Sequence, residues 1–226
     1  KACYAQAYRC LTAAEEVTKT LRERVYGEHT EEKLVKRARG ILKREIHRRE
    51  GGDGRVKRRF LSAVTHKGLL CEYETVEKLC KRVYELDDTW GLAHSLLSVL
   101  LRGAAAAGWD AIACPSPVDP SRLEHLILPQ LSLGFVTSTP QMRWDRRAYR
   151  RIHLDAMADQ SVLRGERARL RFGRKIAASL QEEAVSSLAQ AKEMHDRLEG
   201  IYNPFVDFGK VRRMADEAAA ELLGPV

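Results

Sequence analysis

The chain has 226 residues, of which 44% are hydrophobic and 31% charged, a composition that leaves room for one substantial domain with an appendage and argues against extended disorder. Its 39 basic and 31 acidic residues give a formal net charge of +8, which admits an acidic partner such as nucleic acid without requiring one. No apolar run approaches the roughly 20 residues of a bilayer-spanning helix, so no membrane partner is expected.

The start, Lys1-Ala2-Cys3-Tyr4, carries no signal-peptide pattern and no initiator methionine, as expected of a fragment. Five cysteines, Cys3, Cys10, Cys71, Cys80 and Cys114, make an odd set without a C-x-x-C pair. They read as reduced thiols of a cytoplasmic protein, with Cys3 and Cys10 seven apart on one helix face.

From Ala2 to about Tyr26, apolar residues at Leu11, Ala14, Thr18, Leu21 and Val25 mark one helix face, which Gly27 ends. Thr30 is the expected cap of a second helix, with Glu31 and Glu32 in its first turn and Leu34, Ala38, Ile41, Leu42 and Ile46 along its stripe. Gly51, Gly52 and Gly54 read as a linker. Beyond it, strands are expected at 59–64, 82–86, 109–114 and 131–137, and helices at 75–81 and 93–107. That alternation implies crossover units and a parallel sheet, hence an α/β class. From Ser161 to Tyr202 one long helix is expected, with any bend near Gly173, and a heptad stripe through Leu163, Leu170, Ala177, Ala184, Ala191 and Leu198. A last helix, capped by Asp207, runs through Val211, Met214, Ala218 and Leu222 to Gly224-Pro225. The units are then a helical hairpin at 1–49, a linker at 50–57, an α/β core at 58–160 and a long helical hairpin at 161–226.

The two ends mirror each other. Leu11, Ala14, Glu16 and Leu21 align with Leu188, Ala191, Glu193 and Leu198 at a constant offset, and Tyr26 and Tyr202 close the respective long helices.

A strand, a loop and a helix start meet at Leu86–Leu97, the parts of a phosphate cradle. A P-loop, G-x-x-x-x-G-K-[ST], needs glycines to turn backbone N–H groups inward, a lysine for the outer phosphates and a hydroxyl for magnesium. Here Asp88 and Ala93 stand for the glycines, His94 for the lysine, Gly91 lies inside the loop, and only Ser95 survives. Asp87 and Asp88 would repel a polyphosphate, and the preferred reading is a surface turn that caps the helix.

Cys114-Pro115 followed by Asp119-Pro120-Ser121-Arg122-Leu123-Glu124-His125-Leu126-Ile127-Leu128-Pro129-Gln130-Leu131 resembles a recurring signature of a family of predicted bacterial ATPases built from two tandem P-loop halves. Segments resembling Arg59–Gly68 open each half of that family, and helical hairpins resembling 189–202 and 207–223 close it. The resemblance spans nearly the whole chain and implies a P-loop NTPase-like sheet, ATP and magnesium binding in members with an intact Walker A loop, and a partner half or a homo-oligomer. For this chain it implies a degenerate, C-terminal repeat with no cofactor of its own and a structural or regulatory role. Positions Asp88, Gly91, Ala93, His94 and Ser95 map onto the loop. At the end of the strand before Ser138, Thr137 and Ser138 stand where a Walker B aspartate is expected.

Two other readings stay open: a basic nucleic-acid-binding module, and an NTPase with an altered loop. Arg143, Arg146, Arg147, Arg150 and Arg151, with Trp144 and Tyr149, could contact phosphates and stack on bases, or supply an arginine finger to a neighbour's nucleotide; a solvated arginine-rich loop is the plainer reading. Arg164, Arg167, Arg171, Arg174 and Lys175 form a second basic stripe. His153 and Asp155 lack a nucleophile nearby, and Cys114 has no visible activator. No catalytic residue and no metal ligand is assigned.

Overall fold

The computed structural model describes residues 1–224. It is an α/β fold with a six-stranded, mostly parallel sheet, helices on its faces and long helices at both ends. Among the described residues, no helix is long and apolar enough to cross a membrane.

Helices α1 (Ala2–Val25) and α2 (Thr30–Glu45) follow from their periodic stripes, but they do not pack as a hairpin. The α1 stripe (Ala7, Cys10, Ala14, Leu21) is made mostly of small residues and matches one on the long C-terminal helix α6 (Arg167–Tyr202), namely Leu170, Gly173, Ala177, Ala184 and Ala191. Leu21 lies on Gly173, whereas Ala7 and Cys10 meet Ala184, so the two helices run antiparallel. The matched positions Leu11 and Leu188 meet in the same seam. Helix α2 instead covers α4 (Ala93–Ala106) on the sheet. Thr30 is the first residue of α2 and not its cap; His29 is, while the Thr30 hydroxyl accepts the Gly27 N–H at 3.0 Å.

The supposed linker is anchored. Its last two residues, Val56 and Lys57, belong to β1 (Val56–Arg58), and Gly54 donates to the Ala105 carbonyl at 2.8 Å. The strand expected at 59–64 is broken, because β1 ends at Arg58 and Phe60 is exposed. A two-stranded hairpin follows, β2 (Ser62–Thr65) and β3 (Gly68–Cys71), and then α3 (Tyr73–Leu79).

The main sheet contains β4 (Arg82–Asp87), β5 (Ala111–Pro115), β6 (Leu123–Leu128), β7 (Leu133–Ser138) and β8 (Arg150–His153), in the order β1-β5-β6-β7-β4-β8. All run in one direction except β6, which is antiparallel to both neighbours. The periodicity reading missed this strand and its direction. Its cause is local: a 3-10 turn at Pro129–Leu131 and left-handed Ser132 (φ 47) join β6 to β7, and so short a connection permits only an antiparallel pair.

Alternation along the strands sends side chains to two cores. Tyr84, Leu86, Leu126, Leu128 and Phe135 join Leu34, Ile41, Leu96, Leu97 and Leu100 on the α2/α4 face. Val83, Cys114, Ile127 and Val136 join Leu61, Tyr73, Val76, Cys80 and Trp144 on the other. Buried Glu45 at the end of α2 fastens helix to sheet, accepting from Tyr84 Oη at 2.5 Å and from Arg82. Burial pushes its carboxyl up, but the Tyr84 and Arg82 partners outweigh that and hold it below its ordinary value.

The expected 161–202 helix is interrupted at Glu166, not Gly173: α5 (Gln160–Gly165) is capped by the Asp159 side chain, and α6 passes straight through Gly173. Helix α7 (Phe208–Leu223) is capped by Asp207 as expected, but it does not fold back onto α6 as a hairpin would. Pro225, read as its terminator, lies outside the described residues.

Candidate functional site

The carboxyl ends of β4, β5, β7 and β8 share one edge of the sheet, where ligands of open α/β sheets bind. There the loop 88–92 joins β4 to α4, and the α1/α6 pair stands opposite. Between them is a cleft of about 190 Å³ bordered by Arg22, Trp90, His94, Asp119, Arg122 and Arg174.

Asp88 turns inward, not toward solvent. It is buried, and its Oδ1 accepts the N–H groups of Leu92 at 2.9 Å and Trp90 at 3.2 Å, while Oδ2 accepts that of Ala93 at 2.7 Å. These are the N–H groups that a phosphate would need at the start of α4. The next donor in the loop, Thr89 N–H, is taken by Asp155 Oδ1 at 2.9 Å. Burial pushes the Asp88 carboxyl above its ordinary value; the backbone donors oppose this and the nearby Asp155 adds to it. Asp155 is likewise raised, first by burial, with Thr89 opposing and Asp87 adding.

The other mapped positions are equally engaged. Gly91 has φ +75, its carbonyl accepts from Arg122 at 2.6 Å, and a Cβ there would stand 3.1 Å from the Arg22 guanidinium. Ala93 is buried. His94 accepts the Leu123 N–H through Nδ1 at 2.9 Å, and burial together with Arg122 and Arg22 pushes its pKa down, so it is neutral where a P-loop has a cation. The Ser95 hydroxyl lies 3.1 Å from Tyr26 Oη, which in turn bonds to Glu31. At the end of β7, Thr137 bonds to the Glu124 carbonyl and the Ser138 hydroxyl accepts the Trp144 N–H at 3.1 Å.

Three arginines from distant parts of the chain meet at the cleft, and neither periodicity nor motif drew them together. Arg22 pairs with Glu15 at 3.2 Å, and Arg174 lies 5.5 Å over the Trp90 ring. Arg122 has no ion pair among the described residues, although Asp119 and Glu15 are near enough to act on it. Burial and the neighbouring Arg22 pull its pKa down. The only sequence signal for it was its place within the Asp119–Leu131 signature.

The Arg143–Arg151 segment is dispersed. Trp144 belongs to the core, with its Nε1 unpartnered, so it offers no stacking platform. Arg146 pairs with Glu77 at 2.7 Å and Asp145 at 2.8 Å, and Arg151 pairs with Glu85 at 2.6 Å across the β4–β8 register. Arg150 lies over Tyr149 at 5.4 Å, and Arg143 and Arg147 are exposed. His153 pairs with Asp87 at 2.8 Å instead of with Asp155. Cys114 is buried and its thiol is pushed up to about 12, the opposite of an activated nucleophile.

A second polar cluster lies under the β2–β3 hairpin. Fully buried His125 accepts the Thr137 N–H on Nδ1 at 3.1 Å, which leaves Nε2 to donate to Glu124 at 3.2 Å; Glu124 also takes the Ser62 hydroxyl. Cys71 approaches His125 Nε2 at 3.8 Å. Burial pushes that thiol to about 12, so the group ties the hairpin to the sheet without arming a nucleophile.

Compared with known protein families, with curated proteins and with solved structures, the chain matches none.

Proposed function

We propose that this chain is a P-loop-like module whose nucleotide loop is closed by its own side chain, and that it serves as a structural or regulatory partner to a nucleotide-binding half. One observation carries the reading: the Asp88 carboxylate holds the Trp90, Leu92 and Ala93 N–H groups. An anionic side chain in that position satisfies the helix start and places negative charge where a γ- or β-phosphate would sit. Neutral His94 and the engaged Ser95 hydroxyl supply neither the cation nor the magnesium ligand that nucleotide binding needs. The nucleic-acid reading has less behind it, since Trp144 is buried and Arg146 and Arg151 are spent in ion pairs.

Calorimetric titration with Mg-ATP tests the proposal. The natural chain is expected to give no saturable heat at millimolar nucleotide. The Asp88→Gly/His94→Lys variant, checked for folding by circular dichroism, is expected to acquire binding. Saturable micromolar binding by the natural chain, abolished by Ser95→Ala, would overturn the reading.

A further inference from the structure

Three arginines far apart in the chain reach one place. Arg22 comes from α1, Arg122 from the turn before β6 and Arg174 from α6, and all three line the cleft beside the loop 88–92. Two of them clasp Gly91: Arg122 donates to its carbonyl at 2.6 Å, and Arg22 Nη1 would stand 3.1 Å from a Cβ built on it. The third, Arg174, lies 5.5 Å over the neighbouring Trp90 ring. All three are partly buried.

Gathering like charges out of bulk water is unfavourable unless anions answer them. Two carboxylates of the cleft do so in part. Glu15 pairs with Arg22 Nη2 at 3.2 Å. Burial raises the Asp119 carboxyl, but the Ser121 hydroxyl at 2.6 Å, the Ser121 N–H at 3.1 Å and the nearby Arg122 outweigh that and hold it below its ordinary value. Asp88 is spent on the start of α4. One guanidinium charge is therefore unmatched. Among the described residues, the bond to Gly91 is the only one that the N–H groups of Arg122 make. His94 adds a neutral donor: with Nδ1 accepting the Leu123 N–H, the proton sits on Nε2, which has no hydrogen-bond partner among the described residues.

We propose that Arg22, Arg122 and Arg174 bind the phosphate group of a small ligand at this cleft. Guanidinium forks border it from three elements, and a tetrahedral oxyanion offers oxygens in three directions, whereas a planar carboxylate fills one fork. Fork geometry selects the ligand's chemistry, and the cleft selects its size. At about 190 Å³ it is smaller than the roughly 300–1,000 Å³ of sites for drug-sized ligands, which suits free phosphate or a short phosphate ester and is too small for a nucleoside triphosphate. The phosphate takes side-chain donors on the α1/α6 side of the loop, so the N–H groups held by Asp88 are not needed. The inference therefore stands apart from the fate of the nucleotide loop.

Calorimetric titration of the whole chain with inorganic phosphate, glycerol phosphate and acetate at low salt tests it. Saturable binding of a phosphate is expected with a dissociation constant below about 1 mM, and a preference between the first two distinguishes free phosphate from an ester. Arg122→Gln and Arg174→Gln, checked for folding by circular dichroism, are each expected to weaken it about tenfold or more. The Arg174 side chain makes no hydrogen bond among the described residues, so that variant decides the matter should Arg122→Gln misfold. Arg169→Gln removes the same charge from an exposed position of α6 outside the cleft and is expected to change nothing. No saturable heat with either phosphate, acetate bound as tightly, binding unmoved in Arg174→Gln, or an equal loss in Arg169→Gln would each overturn the inference.

Discussion

A carboxylate at position 88 has opposite consequences depending on what its oxygens meet. Facing a polyphosphate it repels; facing the first N–H groups of a helix it caps. That the loop lacks the glycines and the lysine a P-loop needs was legible in the residues themselves, and so was a capping turn. That the turn is buried, with the capping carboxylate on donors two, four and five residues ahead, depends on how the loop curls beneath Asp155, which follows β8 beside β4 in the sheet but lies 66 residues from Thr89 along the chain. Arg22, Arg122 and Arg174 were illegible as a set for the same reason. Gly54 shows how a residue read for flexibility can serve close approach. A Cβ there would stand 2.0 Å from the Trp109 carbonyl oxygen and 2.8 Å from its nitrogen, backbone atoms that cannot rotate away. Gly54→Ala is therefore expected to cost more than about 2 kcal/mol in urea unfolding. Gly52→Ala, with open space around it, is expected to be nearly neutral or slightly stabilising. Equal effects at the two sites would show that the segment is not anchored.

At the scale of elements, helices were easier to read than their partners. The stripes on α1 and α6 were visible as spacing, but a stripe names a buried face and not what buries it. Adjacent helices in sequence suggested hairpins; size matching decided otherwise, because a seam of Ala7, Cys10, Ala14 and Ala184 brings two backbones closer than the leucine-rich face of α2 allows. Strand β6 was hidden inside a run read for its motif, since Leu123-Glu124-His125-Leu126-Ile127-Leu128 shows no polar–apolar alternation. The α1/α6 seam makes a direct test possible. Ala14 is fully buried, so Ala14→Leu inserts volume that two rigid helices can accommodate only by separating, at an expected cost of about 1–3 kcal/mol. Separation would also expose Cys10, two helical turns away at most, to a thiol reagent. If the melting temperature falls while Cys10 stays protected, the strain lies elsewhere than in the seam.

The whole molecule carries a pH dependence set on its alkaline side by buried thiols. Cys80 is 5% exposed and Cys114 1%, and burial pushes each to about 12; nearby Glu124 contributes for Cys114. Both lie in the core beneath α3, where Cys80 rests against Gly134. In the unfolded chain such thiols lose their protons near pH 8.5. Between that pH and about 12 the unfolded state binds fewer protons than the folded one, so stability is complete below the unfolded value and is lost as pH rises. Each thiol contributes about 1.4 kcal/mol per pH unit across that window. The two together contribute up to about 10 kcal/mol across that window, comparable with a total stability of about 5–15 kcal/mol, and Cys71, whose thiol burial also raises, adds to the decline. Urea unfolding followed from about pH 8 to pH 11 should show this decline. Cys80→Ala and Cys114→Ala each leave a small void and should lower stability at pH 8, yet each should also make the alkaline decline shallower by about 1.4 kcal/mol per pH unit. A decline with unchanged slope in the double variant would mean that the thiols already ionise within the fold, and that water reaches the face of the sheet beneath α3.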